Sequence, residues 1–321
     1  MKQYGLDLTD RKILYQLDLN SRISYKQLGK KLRIAKETVA FRVKRLKKQG
    51  YIKNFLTSIH VSNINRFYYK LFYKFHKTTP EIDKKIVNYI KNYRSIAYFS
   101  SLEGRYDIVF LILSKDMQDL YKFLVPFREK FGDYILEQEI LTLTSTHRFN
   151  FRFFYEGGQL LHTQYAEKLT QPDTDELDFN IVRALAQNSR IKLIDIAKQN
   201  NTDTNVIKYR IKKLKKANIL GTHVLEVDFE KFNQQQIQIC YSLKNHAAIK
   251  RLIDYTAQIP KSTFATIMLG KYDLAVEFVV ENMKELRQIM NKIKTQFSQE
   301  ITDHETFIME EHSINWFPIQ Q

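Results

Sequence analysis

The chain has 321 residues, 44% of them apolar, a single cysteine and a formal net charge of +16. That length gives room for about two to four small domains, and the lone thiol, Cys240, excludes an intrachain disulfide framework and points to a reducing compartment. The longest apolar runs, such as 108–113, are strand-length, and no signal-peptide stretch opens the chain, so a soluble cytoplasmic protein without membrane contact is expected.

In chain order, residues 7–20 form a first helix, with Asp7 or Thr9 as its cap and Ile13, Leu14 and Leu17 as its apolar face. Asn20-Ser21 breaks it. Ser24 and Gln27 fit a capping box, opening a short second helix through Leu28 and Leu32. Arg33-Ile34-Ala35 connects tightly to a third helix. There Val39, Val43 and Leu46 form one apolar stripe, while Arg42, Lys44, Arg45, Lys47 and Lys48 crowd the remaining surface. Gly50 closes it, because only a residue comfortable at positive φ makes that turn cheaply. Residues 51–59 are expected to fold as a hairpin, completing a winged helix-turn-helix.

Residues 67–75 alternate with period two and predict a strand. A helix over 80–93, strands over 96–102 and 106–113, a helix over 117–131 and a strand over 135–146 follow. The order βαββαβ is the ferredoxin-like split motif. Residues 151–174, with Gly157-Gly158 and Pro172, read as a linker.

Then the chain starts again. A shift of 168 places Asp175 and Asp178 on Asp7 and Asp10, Asn188-Ser189-Arg190-Ile191 on 20–23, and the basic run 209–216 on 41–48. Gly270-Lys-Tyr-Asp273 falls on Gly104-Arg-Tyr-Asp107 at a shift of 166. Self-similarity of this extent indicates internal duplication. The expected fold is α+β: two winged helix-turn-helix domains (1–62 and 175–230) alternating with two ferredoxin-like domains (63–150 and 231–321). The charge follows the same division. Residues 1–56 hold 15 Lys+Arg against 4 Asp+Glu, a net +11, and residues 175–224 hold 10 against 5, a net +5, which leaves the remainder near neutral. Charge concentrated in two helical windows favours double-stranded DNA as partner.

At these residues each half resembles a complete member of the Lrp/AsnC (feast/famine) transcription regulators. The family's opening Asp-x-x-Asp helix matches 7–14 and 175–182, its Arg-Ile turn matches Arg22-Ile23 and Arg190-Ile191, and its Gly-x-Tyr-Asp signature occurs twice. Its recognition-helix pattern matches Arg42, Val43, Leu46, Gly50 and Ile52. The second copy keeps Arg210, Ile211 and Leu214 but has Asn218 for the Gly. Ala35 replaces the usual capping Ser, whereas Asp203 supplies a cap in the second copy. The resemblance implies DNA binding, dimerisation through the sheet domains and further assembly into homo-oligomers. It also implies an amino acid or similar small effector near the Gly-x-Tyr-Asp loops.

Base edges are expected to meet Lys36, Glu37, Thr38 and Phe41, with Arg42 and Arg45 on phosphates or the groove edge; the second set is Thr204, Asn205, Tyr209, Arg210 and Lys213. Asn205 can pair bidentately with adenine, and Glu37 can accept from cytosine N4. Gly104, Tyr106 and Asp107, with Gly270, Tyr272 and Asp273, are the expected effector residues; the bland alternative is a turn glycine, a packing tyrosine and a loop-capping carboxylate. No metal, cofactor or catalytic constellation is expected: His304 and His312 beside Glu305, Glu310 and Glu311 match no metal spacing. Two other readings share the layout, a sirohaem-decarboxylase-like enzyme and an architectural DNA-coating protein without effector. Because both sheet domains lie on one chain, they are expected to pair with each other as an intrachain pseudo-dimer that presents two unequal readers.

Overall fold

The computed structural model describes residues 5–155, 157–165, 173–315 and 317–318; the side chains of Glu311 and His312, and residues 166–172 of the expected linker with Pro172, lie outside the described residues. The first half opens with α1 (Leu8–Leu19), capped by Asp7, whose carboxylate accepts from the Asp10 amide at 2.8 Å. Helix α2 (Tyr25–Leu32) begins with the Ser24/Gln27 capping box, and α3 (Lys36–Lys48) begins at Ala35 without a side-chain cap. Strand β1 (Ile52–Ile59) leads to β2 (Phe67–Phe75), α4 (Pro80–Lys91), β3 (Ile96–Glu103), β4 (Ile108–Ser114), α5 (Met117–Phe131), β5 (Ile135–Phe149) and β6 (His162–Tyr165). The second half repeats this order with α6 (Glu176–Gln187), α7 (Leu193–Gln199), α8 (Thr204–Lys216), β7 (Leu220–Val227), β8 (Gln235–Leu243), α9 (Ala247–Gln258), β9 (Ser262–Leu269), β10 (Leu274–Val280), α10 (Met283–Phe297) and β11 (Ile301–Ile314). Asn218 adopts φ +54°, so it closes α8 in the left-handed conformation that Gly50 adopts after α3.

Each half builds a four-stranded antiparallel sheet, β5–β2–β4–β3 in the first and β11–β8–β10–β9 in the second. The last strand of each outruns its own sheet. From Thr142 to Arg148, β5 pairs with β9 of the other half, and from Ile308 to Ile314, β11 pairs with β3. The two sheets therefore close on each other as a ring, which leaves neither long edge open to another chain. Period two sorts the side chains of β2: Leu71 and Tyr73 pack beneath α4 and α5 with Ile86, Ile90, Phe123 and Phe127. Phe72 faces the ring interior with Cys240, Tyr272 and Phe307.

Two segments differ from the sequence reading. Residues 51–59 do not fold as a hairpin. The run Ile52 to Ile59 is one uninterrupted strand that pairs antiparallel with β7, Ile52 opposite Val227 and Ile59 opposite Leu220. No turn-forming pair interrupts that run, so it extends and takes its partner from the other half. Leu225 and Val227 of β7 then complete the core of the first helix-turn-helix, and Ile59 of β1 that of the second. Nor are residues 151–165 a free linker. Phe151, Phe153 and Phe154 are buried in the first helix-turn-helix core, and β6 adds to β5. An aromatic cluster of this size buries more apolar surface than a solvated connection can leave exposed.

Candidate nucleic-acid interface

The two recognition helices, α3 and α8, are held by equivalent buried stripes, Val39, Val43 and Leu46 in one and Ile207 and Leu214 in the other. Their remaining faces are open. Lys36, Glu37 and Thr38 are exposed at the start of α3, as are Asn205 and Val206 in α8, while Thr204 is half-buried. Phe41 and Tyr209, equivalent under the repeat, are 67% and 68% exposed. Large rings left in water on the outer face of two basic helices are suited to a partner surface, and a thymine methyl in the major groove offers the matching apolar contact. At α8 the Asp203 carboxylate accepts from the Asn205 amide at 2.6 Å, which fixes the first turn that carries Asn205.

The arginines expected on phosphates are otherwise engaged. Arg42 Nη1 donates to Asp7 Oδ2 at 2.7 Å and Asp10 Oδ1 at 2.8 Å, and Arg45 reaches Asp10 at 2.5 Å. In the second half Arg210 pairs with Asp175 and Asp178 at 2.7 and 3.1 Å, and Lys213 donates to the Asp173 carbonyl at 2.8 Å. Burial alone would push the Asp7 carboxyl upward, but the Arg42 guanidinium and the Asp10 amide outweigh it and hold Asp7 below its usual range. These pairs staple each recognition helix to the start of the first helix, and explain why the Asp-x-x-Asp pattern and the helix arginine occur together. Among the described residues of these helices, the exposed cations without an ion pair are Lys36, Lys44, Lys47 and Lys48 on α3, and Lys208, Lys212, Lys215 and Lys216 on α8, and these can meet phosphate. Lys208 escapes a reading by repeat because Ala40 stands at the equivalent place.

A further set of contacts relates the two readers. Ser21 Oγ and Ser189 Oγ, equivalent in the repeat, face each other at 2.8 Å and mark the pseudo-twofold axis. Around them, Arg190 Nε donates to the Ser21 carbonyl at 2.7 Å and its Nη2 to the Ile23 carbonyl at 2.9 Å; Arg22 donates in return to the carbonyls of Ser189 and Ile191. Arg190 also lies over the rings of Tyr25 and Phe55. The Ser-Arg-Ile turn is thus a reciprocal clamp between the readers. Its sequence signal was the repetition of an arginine in a turn, where a single half gives it no partner. Beneath the clamp runs the β1–β7 ribbon, on which His223 meets Thr57 at 2.9 Å. Burial, with Lys215 and Arg22 nearby, lowers the His223 pKa to about 4, and burial also lowers that of His60.

The expected effector glycines lie at the joint between the sheets. A Cβ on Gly104 would meet Phe307 at 3.0 Å and the Thr306 carbonyl at 3.1 Å, both on β11, and one on Gly270 would meet Leu141 of β5 at 2.4 Å. Both glycines have positive φ, so close approach and backbone conformation demand the same residue. Tyr106 and Tyr272 are each 2% exposed, and Tyr272 donates to Glu305 at 2.5 Å. The Asp107 carboxylate accepts from the Phe75 amide at 2.7 Å and from Lys74 at 2.5 Å, while Asp273 accepts from the Leu243 amide at 2.7 Å. Both carboxylates thus accept backbone amides at the ends of their own sheet's strands, β2 and β8. Among the described residues no group of three His, Cys, Asp or Glu could hold a metal, and no helix is long and apolar enough to cross a membrane.

A winged helix-turn-helix DNA-binding family model matches residues 6–53 and again 174–220. The HTH-type transcriptional regulator Ptr1 of Methanocaldococcus jannaschii is 34% identical over 119 residues, which are 37% of this chain and 79% of that protein. The chain belongs to the Lrp/AsnC family of transcription regulators. It is a DNA-binding regulator carrying two helix-turn-helix units. AsnC of E. coli, 25% identical, covers 44% of this regulator and 94% of its own chain at a TM-score of 0.38. The siroheme decarboxylase NirDL covers 96% of this regulator and 94% of its own chain at a TM-score of 0.65 with 10% identity, a likeness of fold alone.

Proposed function

We propose that this regulator reads an operator with unequal halves, using both recognition helices of a single chain. The observation that carries the reading is the clamp at Ser21 and Ser189, which fixes two readers whose base-facing residues differ: Lys36-Glu37-Thr38 against Thr204-Asn205-Val206. In a homodimer both readers are identical and match a palindrome; here the fused halves have diverged where bases are read. Selection of bound duplexes from a random pool, followed by footprinting, tests this. An imperfect palindrome with asymmetric protection is expected, and a strictly symmetric operator overturns it. Equal affinity for selected and random duplexes would instead indicate an architectural protein.

The same reading makes the protein a regulator without an enzymatic reaction of its own. The NirDL likeness supplies the competing one, and titration with sirohaem separates them: a saturable absorbance change with release of carbon dioxide favours the enzyme. The committed carboxylates of Asp107 and Asp273 argue that the Gly-x-Tyr-Asp loops serve assembly rather than amino-acid capture. Asp107→Asn should therefore alter stability before it alters any amino-acid response, and a lost response in a fully stable variant reverses that assignment. Light scattering decides whether the particle is one chain or a homo-oligomer of such chains.

A further inference from the structure

One end of the ring interior is filled by Phe72, Tyr106, Tyr272 and Phe307. The other end, roofed by the β1–β7 ribbon, holds a cavity of about 380 Å³ with mainly apolar walls. That size lies within the range of small-molecule sites, about 300–1,000 Å³. Most charged groups lining it have partners: Arg148 donates to Asp18, Arg66 to the Asn65 carbonyl, Glu226 accepts from Asn54, and Glu277 accepts from Gln236 and Gln238 at 3.1 and 2.9 Å. Lys70 differs. It is 5% exposed, and among the described residues its ammonium makes no ion pair or hydrogen bond, only an approach to the Phe72 ring at 5.6 Å. Burial holds it below its ordinary pKa, against the opposing influence of Glu277.

The repeat sharpens the anomaly. Lys70 stands where the second half has Gln238, and Glu277 where the first half has Leu111. The second half thus supplies two glutamines and a glutamate that satisfy one another, and the first half supplies a cation that none of them hydrogen-bonds. A buried lone ammonium in an apolar chamber costs stability unless something of opposite charge joins it.

We propose that the cavity binds a small aliphatic carboxylate, its anionic head on Lys70 and its chain against the apolar walls. One wall is the ribbon that carries both readers, so the occupant acts on the DNA-binding half; this regulatory part rests on the reading of operator binding above, whereas the binding part does not.

Calorimetry of the full chain with sodium octanoate tests the binding, with octan-1-ol as the uncharged control. Saturable octanoate binding is expected, with octanol weaker by about tenfold or more, the value of one charge-assisted contact. Lys70→Gln, which installs the second half's own residue, should remove that preference. Val224→Phe, which fills the ribbon side of the cavity, should abolish binding of both probes and keeps the test open if the lysine variant misfolds. No octanoate binding, or equal affinity for octanol in the wild type, overturns the site. Octanoate binding that leaves operator affinity unchanged overturns its regulatory part.

Discussion

The two halves of this regulator share a fold but are fastened differently where each reader meets its sheet. In the first half Asp18 of α1 is fully buried, paired with Arg148 of β5 and accepting from the Phe151 amide at 2.6 Å. At the equivalent places the second half has Ala186 and Ile314, and there Phe179 stacks on Phe317 instead. One joint is ionic and directional, the other apolar. A duplicated gene product can solve the same packing problem twice by different chemistry, because a buried ion pair and a well-packed apolar pair are nearly exchangeable as units but not residue by residue.

The largest expected effect breaks that contrast. Asp18→Ala strands Arg148 in the interior and should cost about 3–5 kcal/mol of stability, read by chemical denaturation. The double variant Asp18→Ala, Arg148→Ile copies the second half and should recover to within about 1–2 kcal/mol of wild type. A double variant as unstable as the single would show that the two joints are not alternatives.

Next comes the ribbon shared by both halves. His223 has a folded pKa of about 4 against an ordinary value of 6.5. The unfolded chain therefore takes up the proton first, and stability falls as pH drops from 6.5 towards 4, by an amount of order 3 kcal/mol. His223→Gln should flatten this part of the stability profile. An identical acid sensitivity in the variant would remove the histidine from the account.

The clamp gives a smaller effect, on binding. Replacing Arg22 and Arg190 together by Ala should weaken binding to a full operator by about 10- to 100-fold, as the readers lose their fixed relation, while leaving an isolated half-site nearly unaffected. Equal losses on both duplexes would mean that the arginines support each reader rather than the pair.

The smallest effect concerns charge. The window totals of +11 and +5 do not reflect the recognition helices, which carry six cations each: Lys36, Arg42, Lys44, Arg45, Lys47 and Lys48 against Lys208, Arg210, Lys212, Lys213, Lys215 and Lys216. The excess lies largely earlier, where exposed Lys26, Lys31 and Arg33 stand opposite Ile194, Gln199 and Asn201. Substituting those three by Ala should lower the log–log salt slope by about 2–3 if each meets a phosphate, whereas Arg42→Ala should leave the slope near its wild-type value and lower stability. The reverse result would return Arg42 to the phosphate backbone.

The sequence by itself determined the local and the repeated. Apolar period, capping residues and turn glycines act within a few residues, so the helix-turn-helix order, the βαββαβ order, the Asp203 cap and the left-handed Asn218 were legible from the chain. The duplication was legible because it is a comparison of the chain with itself. Tertiary structure alone decided the partners. A strand's alternation tells which face is buried but not which strand lies beside it, so 51–59 read as a hairpin while β1 in fact pairs with β7. A basic residue on a helix looks the same in sequence whether it waits for phosphate or, like Arg42, is held by two carboxylates some 30 residues away. The same holds for Lys70. Its position in a strand was plain, but its isolation follows from closure of two sheets around one cavity, a long-range event that no local pattern encodes.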